Sequence, residues 1–191
     1  MREVTVDVHI SAPREEVFDF VADLGGRPAW TDHYLEDYRL ARPNPYGLGA
    51  AARFILRAPM AKEYVELAIV EFDRPRRIVE EARVGRRGRN RSLAVYDFER
   101  QGPELTHVRL TTYSEPATAV DRFRQIGAAG WIRRNTKTAL ERLRLIFEDP
   151  PQGELARVSI GGYEALKAPR YGAATGMDPA RPRRAGPARP S

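Results

Sequence analysis

The sequence predicts an α+β domain in which a curved antiparallel sheet wraps around one long C-terminal helix, in the order β-α-α-β6-α. Three observations predict it. Between Leu35 and Tyr113, apolar residues alternate with polar ones in six short runs separated by turn residues, the period of half-buried strands. No helical run interrupts them, so they pair as antiparallel neighbours rather than through crossovers. The segment from about Ala117 to Glu148 contains no proline and places Ile132, Thr136, Ala139, Leu140, Leu143, Ile146 and Phe147 at three- and four-residue steps. Those steps make a single apolar stripe, which needs a concave apolar partner. A strongly curved sheet supplies one and leaves room for a ligand between the two.

Each element has its own local signal. Val4, Val6, Val8 and Ile10 alternate with polar residues and form a first strand. SAPREEVFDFVADL reads as a helix capped by Ser11 or Ala12, with Pro13 in its first turn and Glu15 and Glu16 at its positive end. Val17, Phe18, Val21 and Leu24 are its inner stripe, and Gly25-Gly26 stops it. RPAWTDHY reads as a second, short helix that opens at Pro28 and contains Trp30. The six strands are LEDYRLA, AARFILR, KEYVELAIVEFD, IVEEARV, SLAVYDFER and LTHVRLTTY, the last two joined by the QGPE turn. In the long helix Arg133, Arg134, Lys137, Glu141, Arg142 and Arg144 form the solvated face, and Pro150-Pro151 ends it. No internal repeat is visible.

Composition sets outer limits. At 191 residues the chain suits one domain, residues 1–150, with an extension. A folded part of that size buries roughly 70% of its unfolded surface, enough for a core. No stretch approaches about 18 consecutive apolar residues, so no transmembrane helix is expected. The N-terminus alternates from the start and lacks the apolar centre of a signal peptide. A cytoplasmic location is the expectation. The absence of cysteine excludes disulfides, thiol nucleophiles and cysteine metal sites. Net charge is +6, but residues 1–150 carry 25 basic and 23 acidic side chains, whereas residues 151–191 carry 7 and 3. The high pI therefore belongs mostly to the extension. That extension holds six prolines and six glycines in 41 positions, a composition typical of disorder. LARVSIGGYEAL within it reads as a short element able to dock on the domain. From Lys167 onward no fixed structure is expected.

The order of elements is that of the helix-grip fold, and the local sequence agrees. SAPREEVFDFVADL, Trp30 in the second helix, YGLGAAARF at a strand start and VEFDRPRRIVEEARV around a Pro-Arg turn together resemble the START-like (SRPBCC) superfamily. Within it, the polyketide cyclase/dehydrase and lipid-transport branch is the nearest in pattern. The likeness runs over residues 3–148. It implies a hydrophobic cavity between sheet and long helix. It implies no single reaction, because the superfamily includes binders, transporters and cyclases, and fold does not fix function. The basic loop GRRGRNR, residues 85–91, and the chain beyond Pro150 have no counterpart in that pattern.

Small-molecule pockets are mostly apolar with a few placed polar groups. Trp30 and Tyr34 are candidates to close one end. Phe54, Tyr64, Tyr96 and Phe98 are candidates for the sheet side, and Trp131 and Asn135 for the helix side. Only one face of each strand points inward, so not all of them can serve. A cyclase or dehydratase needs one group to remove a proton from carbon and another to protonate a leaving oxygen. His33, Glu66, Glu80 and Asp97 are the catalytic candidates, with His107 and Tyr113 behind them. An inward carboxylate would be a tuned acid or base. An outward one would simply pair across strands with Arg83 or Arg109. Metal binding is not expected, since His9, His33 and His107 are scattered without ligand spacing, and no cofactor fingerprint occurs. The basic segments lack the aromatic interleaving of a nucleic-acid platform, which argues against nucleic acid and leaves weak contact of the tail with anionic surfaces open.

Three functions follow for comparison. A wholly apolar cavity favours a carrier of a lipid, polyketide or aromatic compound. Two or more inward ionisable groups favour a cofactor-independent cyclase or dehydratase. A filled core favours an interaction module working through the basic loop and tail.

Overall fold

The computed structural model describes residues 2–58, 62–85, 88–115 and 119–163; of residues 2, 119–127 and 163 it describes the backbone only. Its elements are β1 (Arg2–Ile10), α1 (Arg14–Ala22), α2 (Pro28–Thr31), β2 (Leu35–Leu40), β3 (Ala51–Arg57), β4 (Lys62–Asp73), β5 (Arg77–Val84), β6 (Asn90–Gly102), β7 (Leu105–Glu115), α3 (Ala119–Glu148) and a short hairpin, β8 (Val158–Ser159) with β9 (Gly162–Tyr163). All six strands read from alternation are present, and the order is the expected β-α-α-β6-α of the helix-grip fold with a hairpin appended.

Seven strands form one curved antiparallel sheet in the order β1-β7-β6-β5-β4-β3-β2. Alternation decides which side chains face the helix. On β1, Val6, Val8 and Ile10 are buried and lie opposite Leu110, Val108 and Thr106 of β7. Register shifts at Glu36/Arg39 in β2, Ile69/Glu71 in β4 and Arg100/Gly102 in β6 break the ladder. Such bulges raise local twist and bend the sheet, which a sheet wrapped around a helix requires. Gly49 adopts φ +79°, a conformation costly for other residues, and its N–H donates to Ile69 O at 2.9 Å, seating the start of β3 against the β4 bulge.

The helix α3 buries Thr136, Ala139, Leu140, Leu143 and Ile146 while Arg133, Arg134, Lys137 and Thr138 stay exposed. It lies against β1 and α2. Helix α1 buries Val17, Phe18, Val21 and Ala22. Phe18 meets Phe72 of β4 and Phe98 of β6 edge-on, with ring centroids 5.2 and 5.1 Å away. Phe20 meets Phe147 at 5.4 Å and joins α1 to α3. The expected cap of α1 is corrected. Pro13 occupies the N-cap position without a side-chain hydrogen bond. The Ser11 hydroxyl instead donates to Glu148 Oε1 at 2.9 Å, and its backbone N–H to the same oxygen at 3.1 Å. Ser11 thus ties the β1–α1 corner to the end of α3, a contact between residues far apart in sequence.

After α3 the chain returns to the domain. Ala156 and Val158 are buried, Val158 N–H donates to Gly25 O at 2.9 Å, and Arg157 pairs with Asp23 at 2.7 Å. The β8–β9 hairpin packs on β2. The remainder of the extension, from residue 164, lies outside the described residues.

Leu140 is 1% exposed at the centre of the stripe. Leu140→Ala is expected to cost about 2–5 kcal/mol in urea unfolding through lost burial and the cavity left behind; a neutral result would contradict the packing of α3.

Candidate ligand-binding site

The inward faces of β2 to β7 and one side of α3 do not close on each other completely. They leave a chamber of about 150 Å³. Its enclosed end is formed by buried residues: Arg27, Tyr38, Phe54, Val65, Glu80 and Tyr96. Toward the other end the lining becomes partly exposed, at Leu56, Val84, Ser92, Ser114 and Trp131. The walls are therefore mainly apolar and the enclosed end is polar.

Arg27 organises that end. It sits between Gly25-Gly26 and the first turn of α2, and its side chain is 6% exposed; α1 itself already ends at Ala22, with Asp23 extended, so the glycine pair follows the helix end rather than forming it. Both of its terminal nitrogens reach the Glu80 carboxylate, Nη2 to Oε1 and Nη1 to Oε2, the latter at 3.4 Å. Nη1 also donates to the Tyr96 hydroxyl at 2.9 Å, and Nη2 to Val21 O at 3.1 Å. The guanidinium carbon lies 4.9 Å from the Trp30 ring centroid and 5.4 Å from that of Tyr96, distances at which a cation is attracted to the ring face. Burial alone would depress the ionisation of Arg27. The field of Glu80, helped by Tyr96 and Tyr38, more than reverses this and keeps the group charged. Thr31 Oγ1 donates to Arg27 O at 2.8 Å and fixes the backbone there.

Three tyrosines complete the polar end. Tyr38 is 1% exposed and its ring stacks on Phe54 with centroids 5.4 Å apart, yet its hydroxyl has no partner among the described residues. Burial raises the pKa of Tyr38 and Tyr96, against the opposing pull of Arg27. Burial likewise pushes Tyr34 up to about 12. All three are neutral hydrogen-bond donors at physiological pH. Tyr34 also meets Trp131 of α3 edge-on at 6.2 Å, near the more open part of the chamber.

The sequence-based candidates separate into two groups. Tyr34, Phe54, Glu80, Tyr96, Trp131 and Asn135 line the chamber. The others lie elsewhere. Trp30 is buried behind Arg27, and Phe98 is buried against Phe18. Tyr64 is 46% exposed on the outer face of β4, because strand parity puts it opposite to its inward neighbour Val65. Glu66 shares that outer face, flanked in register by Arg53 and Arg83. Asp97 lies across from Arg77 and Arg109 and pairs with Arg77 at 3.6 Å. His107 is on the outer face too, stacked on His9 at 4.7 Å, between Asp7 and Glu99. Tyr113 shares its strand parity. His33 does not line the chamber. Its Nε2 lies 3.1 Å from Asn135 O, and burial and the nearby Arg142 hold its pKa below the usual histidine value. Among the described residues no cluster of acidic or histidine side chains is arranged to hold a metal, and no helix is long and apolar enough to cross a membrane. Of the basic loop, Arg86 and Arg87 lie outside the described residues.

Two residues of the site, Arg27 and Tyr38, escaped the sequence reading. An arginine between a helix stop and a helix start reads as solvated. Tyr38 was hidden by the β2 bulge: Leu35 and Leu40 are both buried although an odd number of positions apart, which requires one extra residue between them. Asp37, at φ +50°, is in the shifted segment, and the parity clash was the available signal.

Fold and chamber together define an α+β protein of the helix-grip type with a chamber between sheet and long helix. Residues 1–148 match the family of polyketide cyclase / dehydrase and lipid transport proteins, and the chain belongs to that family. No curated protein matches it. Solved structures of similar fold include a protein from Thermus thermophilus, 20% identical over 75% of this chain and 94% of that one, with a TM-score of 0.58. A conserved protein from Geobacillus kaustophilus is 13% identical over 77% and 95%, with a TM-score of 0.60. DynU16, from the dynemicin biosynthetic locus, is 15% identical over 77% of this chain and 47% of its own, with a TM-score of 0.54.

The buried tyrosines give a pH prediction. A folded-state pKa raised above the unfolded value near 10 contributes stability that is complete below pH 10 and is lost as pH rises. For Tyr34 that loss runs from about pH 10 to about 12. The urea midpoint is expected to fall across this window, and absorbance at 295 nm should show three of the eight tyrosines silent at pH 10 in the native protein. Titration of all eight near pH 10 without unfolding would contradict the burial.

Proposed function

We propose that this protein binds a hydrophobic small molecule, such as a polyketide, an aromatic compound or a lipid-like chain, in the chamber between the sheet and α3. The observation that carries the reading is the chamber itself, with apolar walls and a polar, donor-rich enclosed end. That is the general form of a small-molecule site. A cavity of roughly 150 Å³ with aliphatic walls is large enough to take up benzene. The chamber, from Arg27 to Trp131, therefore suits a ligand built on about one ring. Membership of a family that includes cyclases and lipid transporters supports a hydrophobic ligand. So does likeness to a protein of a biosynthetic locus.

A second reading, a cofactor-independent cyclase or dehydratase, is favoured by one observation: ionisable side chains do gather at the enclosed end. Of the catalytic candidates, Glu80 alone lines the chamber. Binding is nevertheless the better account. Both Glu80 oxygens are held by Arg27, and the tyrosines beside them are held protonated. The end is rich in donors able to polarise an oxygen and poor in free bases able to take a proton from carbon.

Native mass spectrometry of protein purified from its own host tests this. A retained apolar compound, released on unfolding and recovered unchanged after incubation with fresh protein, is the expected result. A compound recovered with the loss of water would favour the enzyme. Protein that is empty and also ignores a panel of lipids and aromatic polyketides would overturn the proposal.

A further inference from the structure

We infer that the chamber selects a neutral ligand bearing a carbonyl oxygen, and that the Tyr38 hydroxyl is the donor that selects it. The inference rests on the binding reading above and adds the chemistry of the ligand's inner end.

Several polar groups at the enclosed end are left unpaired. Tyr38 lines the chamber, is 1% exposed, and has no partner for its hydroxyl among the described residues. Arg27 also lines the chamber, and its Nε is likewise buried without a partner. The Tyr96 oxygen accepts from Arg27 Nη1, which leaves the Tyr96 proton as a further donor. Buried polar groups are almost always satisfied, and those that are not commonly await a water or a ligand. What this wall lacks is an acceptor.

Charge then decides which acceptor. Arg27 and Glu80 cancel, and the tyrosines are neutral, so the enclosed end carries no net charge. A carboxylate would satisfy the donors but bring a buried negative charge beside Glu80 with no free cation to meet it among the described residues, because both terminal nitrogens of Arg27 already serve Glu80, Tyr96 and Val21 O. Burying an uncompensated charge costs far more than one hydrogen bond returns. A protonated amine brings only donors to a wall already rich in them. A pure hydrocarbon displaces water from the hydroxyl and gives nothing back. A ketone, quinone or ester oxygen supplies the acceptor without the charge. The Tyr38 ring is held flat against Phe54, so its hydroxyl is placed before the ligand arrives, which lowers the cost of binding.

The test compares α-tetralone, tetralin and tetralin carboxylate by isothermal titration calorimetry on the full chain and on Tyr38→Phe. The ketone is expected to bind about three- to tenfold more tightly than the hydrocarbon, the worth of one neutral hydrogen bond, and the carboxylate most weakly. Tyr38→Phe should abolish the preference of ketone over hydrocarbon, with the ketone bound more weakly than by the unaltered protein and tetralin bound no more weakly. Its melting temperature should not fall, since the hydroxyl removed has no partner among the described residues. If ketone and hydrocarbon bind alike, or the carboxylate binds best, the inference fails while the binding reading stands. Equal affinity of the ketone for both proteins would also overturn the role of Tyr38. If none of the three binds, the inference fails, and the binding reading is decided by the panel of lipids and aromatic polyketides. The ketone-to-hydrocarbon ratio on the unaltered protein decides the matter even where the variant does not fold.

Discussion

An arginine buried in a hydrophobic core has to be met by an anion, and in this protein Glu80 meets Arg27. The requirement reaches well beyond the two residues. Gly25-Gly26 must turn the chain so that Arg27 points inward. The α2 turn must bring Trp30, and β6 must bring Tyr96, against the guanidinium. Glu80 must fall on the inward parity of β5, between Ile78 and Ala82. The charged pair with its ring of donors lies on the wall of the chamber, where the sheet and α3 stand apart.

The same pair explains why the site reads as a receptor before it reads as a catalyst. A free carboxylate in an apolar chamber would be a natural proton acceptor. A carboxylate held by two nitrogens of one arginine is first a structural counter-ion. Its neighbours are tyrosines that burial keeps protonated, and they supply direction rather than charge. In the proposed binding role, the polar end orients an oxygen, while the aliphatic walls and Trp131 supply affinity through burial.

Much of this was legible in the sequence, and the parts that were not share a physical cause. The long stripe of α3 and the six alternating strands are short-range periodicities, and local sequence states them directly. Parity within a strand was also there to be used. Val65 and Leu67 point in, so Tyr64 and Glu66 had to point out; Ile78, Ala82 and Val84 point in, so Glu80 had to join them. Tyr38 was obscured because the bulge at Asp37 resets that parity, and a bulge is fixed by pairing with a strand the local window does not contain. Arg27 and the Ser11–Glu148 tie are contacts between residues distant in the chain, which no local period encodes.

The most direct test of the account is a double-mutant cycle on the ion pair, read by urea unfolding of Arg27→Met, Glu80→Leu and the double variant. Each single change leaves a buried charge without its partner and is predicted to cost about 3–5 kcal/mol, whereas the double variant, which removes both charges, is predicted to be more stable than either single one. Additive losses would contradict the claim that the two charges compensate each other, and with it the neutral chamber on which the account of the ligand depends.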